Sequence, residues 1–465
     1  MKKISLSLII AVLLFNGCTC PQEKAKYIFY FIGDGMGLAQ TILAENYLDV
    51  KASDTATIHL ELNEMPVAGF STTYSANNLV TCSSAAGTAL STGRKTNNGM
   101  LGVNPDTIPL TSIAQILHEQ GYKVGIISSV SIDHATPGAF YAHSVSRNEY
   151  LDIAKTIPET GYDYFGGGGL LAAYEDSTIY QYISENGYLV SNDKSVIDNH
   201  KLEDGKLYAY SKLLCDAGDI PYYIDEPKYE MRLPYFLKKA ISLFSKPEDK
   251  FFIMIEGGKI DWSCHGNDAA TTLFEVIDFN DAYKVAYEFY LKNPKETLIV
   301  MTADHETGGL SIGQKSTHYN NFPALLEYQK VSESRFNEII DEISGNKPSL
   351  DNIYKLIEEN FGFNNHEKKL RLNHDDSARI ELVYQMKFKH DKISSDKIEK
   401  YDIRKRETLA SIAVKIMSEK SGTGWTTNDH SGIAVPVRAI GAGAEKFAGF
   451  YDNTDIPKYI LQIAQ

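Results

Sequence analysis

Three apolar runs in this chain end in a carboxylate, and this arrangement constrains the fold more than any other feature of the sequence. The runs and the acids that follow them are 27–32 with Asp34, 251–255 with Glu256, and 298–301 with Asp304. Runs that are apolar throughout predict strands buried on both faces, as in parallel sheets. Since the carboxyl ends of parallel strands lie at one edge of a sheet, where ligands bind, we expect the three acids to converge there.

Predicted strands alternate with predicted helices along most of the chain. The strands fall near 27–33, 67–72, 123–129, 251–256, 297–302 and 435–441, and two helical stretches at 271–291 and 454–463. This alternation predicts an α/β fold with a mostly parallel central sheet and helices on both faces. The chain has 465 residues, 43% of them hydrophobic, which is enough to bury such a core. The glycine run 166–169 lacks a following Lys-Ser/Thr pair and is predicted to be a loop.

The acids at the strand ends have histidines close by in the sequence. His265 follows Asp261 by four residues, so the two share one face of a helical turn, and His305 directly follows Asp304. A buried cluster of these acids would repel itself unless cations neutralised it. Mixed Asp/His ligands favour Zn²⁺, whereas a set of oxygen ligands suits Mg²⁺. One such residue alone is usually structural, but their recurrence at several strand ends favours a metal site.

Ser83 stands at the predicted start of a helix rich in small residues, 83–92. The first N–H groups of a helix have no partner within it, and together with the helix dipole they attract anions. The position therefore suits a serine that attacks or carries an anion. Taken alone, the small residues would fit tight helix packing equally well.

These residues together resemble the alkaline phosphatases of the binuclear-zinc superfamily. The motifs that carry the resemblance are Val80-Thr81-Cys82-Ser83, His134-Ala135-Thr136-Pro137, Glu256-Gly257-Gly258-Lys259-Ile260-Asp261 and Thr302-Ala303-Asp304-His305. They occur in the family's order, and the resemblance covers about 26–313 and 422–465. The resemblance implies an alkaline-phosphatase-like fold and the hydrolysis of small-molecule phosphate monoesters to an alcohol and inorganic phosphate. It also implies a homodimer, the state found in the family.

The resemblance also assigns a role to each site residue. Ser83 matches the nucleophile that becomes phosphoserine, and Arg147 matches the arginine that holds two phosphate oxygens. Asp261, His265 and His430 match the ligands of one zinc ion, and Asp34, Asp304 and His305 those of a second. Asp34, Thr136 and Glu256 match the ligands of a third ion, usually Mg²⁺. His134 and Trp262 stand beside that third site where some relatives have Asp and Lys, so Co²⁺ or Zn²⁺ is an alternative there.

Several residues depart from the family pattern. Cys82 replaces an aspartate found in many relatives, so we expect Arg147 to be less firmly tethered. Ser84 is the alternative nucleophile. A phosphodiesterase or another hydrolase of the superfamily is the alternative activity, and a non-catalytic phosphate- or metal-binding protein is a further one.

The segment from about 314 to 420 lies outside the resemblance and separates Asp304 from His430. It is rich in charge, with helical patterns at 334–344, 350–360 and 402–419. We interpret it as an inserted cap, similar to the variable crown insertions of the family, within a catalytic domain spanning 27–465. Three histidines in it are predicted to be solvent-exposed rather than ligands: His366, His374 and His390.

The start of the chain predicts export. Lys2 and Lys3 precede an apolar run at 4–15, which is too short to span a bilayer and is typical of a signal peptide, here 1–17. Gly17-Cys18 resembles a bacterial lipoprotein cleavage site, so we expect a lipid on Cys18 and a tether over 18–26, with ordinary secretion as the alternative. The protein would then be periplasmic or anchored to the outer membrane. Its net charge of −14 disfavours nucleic acid as a partner.

Overall fold

The computed structural model describes residues 24–52, 59–244, 246, 248–364, 367–390, 393–404 and 407–464. The predicted signal peptide, the lipid site Cys18, the first part of the tether and His366 lie outside the described residues. Within the described part of the chain, no helix combines the length and the apolar character that a bilayer crossing needs.

The strands of the described residues are β1 (Tyr27–Ile32), β2 (Val67–Thr72), β3 (Lys123–Ser128), β4 (Tyr164–Gly167), β5 (Tyr188–Ser191), β6 (Lys206–Tyr210), β7 (Phe251–Glu256), β8 (Thr297–Thr302), β9 (Glu306–Thr307), β10 (Ser311–Ile312), β11 (Thr423–Gly424), β12 (His430–Ser431), β13 (Val435–Gly441) and β14 (Gly449–Asp452). The helices are α1 (Leu38–Lys51), α2 (Ser83–Thr92), α3 (Ile113–Glu119), α4 (Ala135–Gly138), α5 (Tyr150–Lys155), α6 (Ala172–Glu175), α7 (Ile179–Glu185), α8 (Lys194–Asn199), α9 (Leu233–Leu243), α10 (Lys259–His265), α11 (Ala269–Lys292), α12 (Glu333–Ser344), α13 (Leu350–Phe361), α14 (His374–Tyr384), α15 (Ser395–Lys400), α16 (Leu409–Ser421) and α17 (Asp455–Ala464).

Ten strands form one twisted sheet in the order β14-β2-β13-β8-β1-β7-β3-β4-β6-β5. All neighbouring pairs are parallel except those of β13, which runs antiparallel to β2 and β8. The central strand β1 lies between β7 and β8, with Ile32 level with Glu256 on one side and with Thr302 on the other. The predicted α/β class with a mostly parallel sheet is confirmed, and the three carboxylate-bearing strands are direct neighbours.

Each face of the sheet is covered by its own apolar core. Phe29 and Phe31 of β1 pack into the core on one face, and Ile28, Tyr30 and Ile32 into the core on the other. All of these side chains are fully buried. This explains why the central strands are apolar throughout rather than alternating, and it confirms the predicted cover of helices on both faces.

The glycine run at 166–169 was predicted to be a loop, and the structure corrects this for its first half. Gly166 and Gly167 belong to β4, which pairs with β3 and β6. At Gly167 the φ angle is +126°, and a Cβ atom there would lie 1.9 Å from the carbonyl oxygen of Ser128. The glycine therefore permits a close approach between strands that any side chain would block.

The cap segment consists mainly of helices that start at hydroxyl caps. Ser332 caps α12, Ser349 caps α13, and Thr408 accepts a hydrogen bond from the N–H of Ser411 to cap α16. The predicted helix at 402–419 is wrong in its first part, because residues 402–404 and 407–408 are not helical and α16 begins only at Leu409. His374 and His390 are exposed, as predicted.

Candidate active site at the carboxyl edge of the sheet

Two groups of metal-ligand side chains lie side by side at the carboxyl edge. One comprises Asp261, His265 and His430, the other Asp34, Asp304 and His305. Within each group the potential ligand atoms lie within 4.8 Å of one another. The groups meet where the rings of His305 and His430 stack, with 3.5 Å between ring centroids. These are the same two sets that the family resemblance assigns to two zinc ions.

The fold explains how residues from distant parts of the chain meet here. Asp34 follows β1, and Asp304 and His305 follow β8, while Asp261 and His265 are carried by α10 directly after β7. His430 comes from beyond the cap and is held by pairing of β12 with β9, in which it lies opposite Thr307. The short β9–β12 ladder therefore completes the first group across the inserted segment.

Two carboxylates of this edge, Asp34 and Glu256, are disfavoured as free anions by burial and by the acids around them. Burial, together with the nearby charges of Asp304, Asp261 and Glu256, raises the pKa of Asp34 well above its usual value. Burial and Asp304 also raise the pKa of Glu256 to about 8. Three carboxylate oxygens accept no hydrogen bond from the described residues: Asp34 Oδ1, Asp304 Oδ2 and Glu256 Oε1. Convergent unpartnered oxygens and imidazole nitrogens fit divalent cations.

A third group of oxygen atoms surrounds the other side of Asp34. The hydroxyl of Thr136 lies 3.4 Å from Asp34 Oδ2, and Glu256 ends the neighbouring strand β7. Ser128, at the end of β3, donates a hydrogen bond to Glu256 Oε2. Ser128 was not predicted as a site residue, although a hydroxyl at the end of a predicted strand was a signal for it.

Ser83 is the first residue of α2 and is almost completely buried. Its Oγ lies 3.3 Å from His305 Nε2, which places the hydroxyl at the second ligand group. The neighbouring hydroxyl of Ser84 instead contacts Cys82 Sγ at 3.2 Å. The geometry thus brings Ser83 to the metal-ligand residues and turns Ser84 towards Cys82.

Arg147 is held by a neutral imidazole. Its Nη2 donates to His134 Nε2 at 3.2 Å, and burial together with the charge of Arg147 lowers the pKa of His134 to about 3. The His134 ring in turn makes an edge-on contact with Trp262, with 5.6 Å between ring centroids. Arg147, His134 and Trp262 therefore form a continuous row beside the third oxygen group, and the guanidinium keeps its charge uncompensated by this partner.

Further polar residues support the ligands from behind, and sequence reasoning missed them. Thr307 donates to Asp261 Oδ1 and lies 3.2 Å from His305 Nδ1. Gln40 donates to Glu306 Oε1 at 2.9 Å and to the carbonyl oxygen of Thr307 at 3.0 Å. Thr307 follows His305 by two residues in an extended segment, which was a usable signal, whereas nothing in the sequence links Gln40 to this position.

Comparison with known proteins finds relatives along nearly the whole chain. The family model of alkaline phosphatase matches residues 25–167 and 166–465. Alkaline phosphatase 3 of Bacillus subtilis is 31% identical over 460 residues, which cover 96% of this chain and 90% of that protein. Alkaline phosphatase 4 of the same organism is 29% identical over 455 residues, covering 95% and 90%.

Solved structures give the same result. The cold-active alkaline phosphatase of a psychrophilic Shewanella superposes with a TM-score of 0.78 at 27% identity, covering 94% of this chain and all of that one. The alkaline phosphatase of Thermus thermophilus, at 23% identity, shares the fold with a TM-score of 0.77, over 97% of this chain and 95% of that one. The sheet is thus that of the alkaline phosphatases, a class of phosphomonoester hydrolases. The chain belongs to the alkaline phosphatase family.

Proposed function

We propose that the chain hydrolyses phosphate monoesters in two steps through a phosphoserine on Ser83. The observation that carries this proposal is the position of the Ser83 hydroxyl, at the start of α2 and 3.3 Å from His305 Nε2. In the first step the Ser83 oxygen forms a bond to phosphorus as the ester P–O bond breaks, and the alcohol leaves with the serine's proton. In the second step water cleaves the serine–phosphate bond and releases inorganic phosphate.

Two zinc ions and one magnesium ion would be held by the three groups described above. Asp261, His265 and His430 would hold one zinc and Asp34, Asp304 and His305 the other, because mixed carboxylate and imidazole ligands are typical of zinc. The oxygens of Asp34, Thr136 and Glu256 suit magnesium, with Co²⁺ or Zn²⁺ as alternatives. When bound, such cations supply the positive charge that offsets the phosphoryl group and favours the deprotonated serine.

Magnesium at a metal site of a relative is described for a variant that carries an introduced carboxylate. A histidine-to-aspartate variant of the TAB5 alkaline phosphatase, 25% identical to this chain, is described with Mg bound in the M3 site. In this chain His134 stands next to the third oxygen group, and its Nε2 already accepts from Arg147. We therefore assign His134 and Trp262 to the surroundings of that site rather than to its ligands.

The chain's own residues bind and orient the phosphoryl group. Arg147 offers a planar pair of donors for two phosphate oxygens, and Ser83 begins α2, where the positive end of a helix attracts an anion. The neutral His134 fixes the guanidinium without cancelling its charge. This arrangement suits a monoester, which offers three unesterified oxygens, better than a diester, which offers two.

The proposal is tested by hydrolysis assays on the purified chain starting at residue 18. A chromogenic phosphomonoester, a phosphodiester and a sulfate ester are compared after chelation and after return of Zn²⁺ and Mg²⁺. We expect metal-dependent cleavage of the monoester in strong preference to the other two. Preferential cleavage of the diester would favour the alternative phosphodiesterase activity, and binding of metal without any cleavage would favour a binding role.

Replacing Arg147 by lysine is expected to lower kcat/KM for a phosphomonoester by about 10- to 100-fold. Lysine keeps the positive charge but loses the two parallel N–H donors, so both substrate and inorganic phosphate bind more weakly. Steady-state kinetics and the inhibition constant of phosphate measure the effect. Arg94→Lys changes an exposed arginine and serves as the matched control. Equal kinetic constants in the two variants would show that Arg147 does not bind the phosphate group.

We further propose that the protein is exported and anchored to a membrane by a lipid on Cys18. The basic start, the short apolar run and Gly17-Cys18 support this proposal. In a bacterial host supplied with labelled palmitate, the full chain is expected to carry the label and to sediment with membranes. Cys18→Ser is expected to lose both properties and Cys20→Ser to keep them. Absence of label from the unmodified chain would leave ordinary secretion, and label retained in Cys18→Ser would place the lipid on another residue.

A further inference from the structure

A cavity of about 470 Å³ lies beside the catalytic helix α10, at the same edge of the sheet as the ligand groups. The loop that follows β6 forms one wall, Lys259 and Trp262 of α10 a second, and the start of α12 from the cap a third. Its size is typical of pockets that hold small organic molecules. No step described so far uses this space.

Trp262 connects the cavity to the phosphate site. It follows Asp261 on α10 and is half-buried, and it lines the cavity while contacting the ring of His134. His134 in turn accepts the hydrogen bond of Arg147. One side chain, His134, therefore separates Trp262 from the phosphate-binding Arg147. An ester group that extends from the phosphoryl site past His134 meets Trp262 and the cavity behind it.

The lining of the cavity combines apolar side chains, among them Trp262, with charged ones, and its one buried cation is already neutralised. Lys259 forms an ion pair with Asp219, and both side chains are only 3% exposed. The Lys259 ammonium also lies 3.6 Å from the centroid of the Tyr222 ring. Leu213 and Leu214 add partly exposed apolar surface. Lys259 is thus not available to attract a second anion.

The rim of the cavity carries an excess of negative charge. Asp216 and Glu226 are exposed carboxylates on the rim, and Asp225 accepts two hydrogen bonds from Ser332. The cationic Arg335 is paired with Glu338 at 2.6 Å. Uncompensated carboxylates around a pocket repel anionic ligands and favour neutral or cationic ones.

We propose that this cavity is the subsite for the alcohol portion of the substrate, and that it selects apolar or aromatic alcohols without a further negative charge. The proposal rests on the phosphomonoesterase function proposed above and adds a substrate class to it. Monophosphates of neutral or cationic hydrophobic alcohols are the preferred substrates, and esters that carry a second phosphate or a carboxylate are poor ones.

The test compares three alkyl esters that differ only in what reaches the cavity: methyl phosphate, benzyl phosphate and 4-carboxybenzyl phosphate. With the metal-loaded enzyme, kcat/KM is expected to be highest for the benzyl ester. Leu214→Ala is expected to lower the benzyl-to-methyl ratio of kcat/KM about 3- to 10-fold, because it removes apolar wall area. Leu189→Ala, which removes a leucine of similar exposure from β5, is the matched control with an unchanged ratio.

The charge of the rim is tested by Asp216→Lys. This variant is expected to raise kcat/KM for the carboxybenzyl ester at least about 3-fold relative to the benzyl ester at low ionic strength, with the gain shrinking as salt is added. Binding is measured separately as inhibition by benzylphosphonate and methylphosphonate, which are not hydrolysed. Leu214→Ala is expected to weaken only the former.

Different results would contradict the subsite and the phosphomonoesterase function. A benzyl-to-methyl ratio that is the same in the wild-type enzyme, Leu214→Ala and Leu189→Ala would overturn the subsite while methyl phosphate hydrolysis continued. A kcat/KM for the carboxybenzyl ester equal to that for the benzyl ester would also overturn the subsite. Absence of any methyl phosphate cleavage by the metal-loaded chain would instead overturn the phosphomonoesterase function itself.

Discussion

Replacing Ser83 by alanine is expected to lower kcat/KM for a phosphomonoester by at least about 10³-fold, because the covalent route through phosphoserine is lost. The Ser83 hydroxyl is nearly inaccessible to solvent and directed at His305, so the alanine side chain fills most of its space. We therefore expect the fold and the metal content to be retained. Steady-state kinetics, metal analysis and trapping of the phosphoenzyme at acidic pH measure these three properties.

Ser84→Ala is the matched control, since it removes an equally buried hydroxyl from the next position of α2. That hydroxyl contacts Cys82 Sγ rather than a metal-ligand residue, so activity is expected to change less than about 5-fold, as expected for a group outside the reacting atoms. If Ser83→Ala still formed a phosphoenzyme and Ser84→Ala did not, the nucleophile would be Ser84.

The strands that carry the site were predictable from sequence because two independent signals coincide there. β1, β7 and β8 are apolar throughout, since both of their faces are buried, and each is followed or ended by a carboxylate. The apolar pattern of the strands and the positions of the carboxylates both predict a site at the same edge of the same sheet. The strands of the ten-stranded sheet that were not predicted, β4, β5, β6 and β14, are shorter, and the glycines of β4 are typical of loops.

The positions of other site residues depend on contacts between distant segments and were not derivable from local pattern. His430 is placed by pairing of β12 with β9 across the cap, and only the family resemblance linked it to Asp261. Gln40 lies on α1 and supports Glu306 from another part of the fold. The cavity wall likewise combines a loop, α10 and the cap. Such positions depend on tertiary contacts, which the hydrophobic periodicity of a local segment does not predict.

Removing the metals is expected to abolish activity and to destabilise the fold. Without cations, Asp34, Asp304 and Glu256 remain as closely spaced buried carboxylates, some of whose oxygens have no hydrogen-bond partner among the described residues. A ligand present at a thousand times its dissociation constant contributes about 4 kcal/mol to the native state, so loss of several ions lowers Tm on the order of 5–10 °C. Activity is expected to fall at least about 100-fold and to return with Zn²⁺ and Mg²⁺.

The Asp304→Asn variant shows whether this stabilisation comes from the ligand groups of the carboxyl edge. It is expected to bind less zinc and to show a smaller drop in Tm on chelation, because one charged ligand of the second group is already lost. The control is Asp163→Asn. Asp163 is also buried, but it accepts the N–H of Val124 at 2.9 Å and pairs with Lys123 at the opposite end of the sheet. We expect this control to lower stability in both the metal-loaded and the chelated chain by the same amount and to leave the zinc content unchanged. An equal chelation effect in both variants would show that the stabilising ions bind elsewhere.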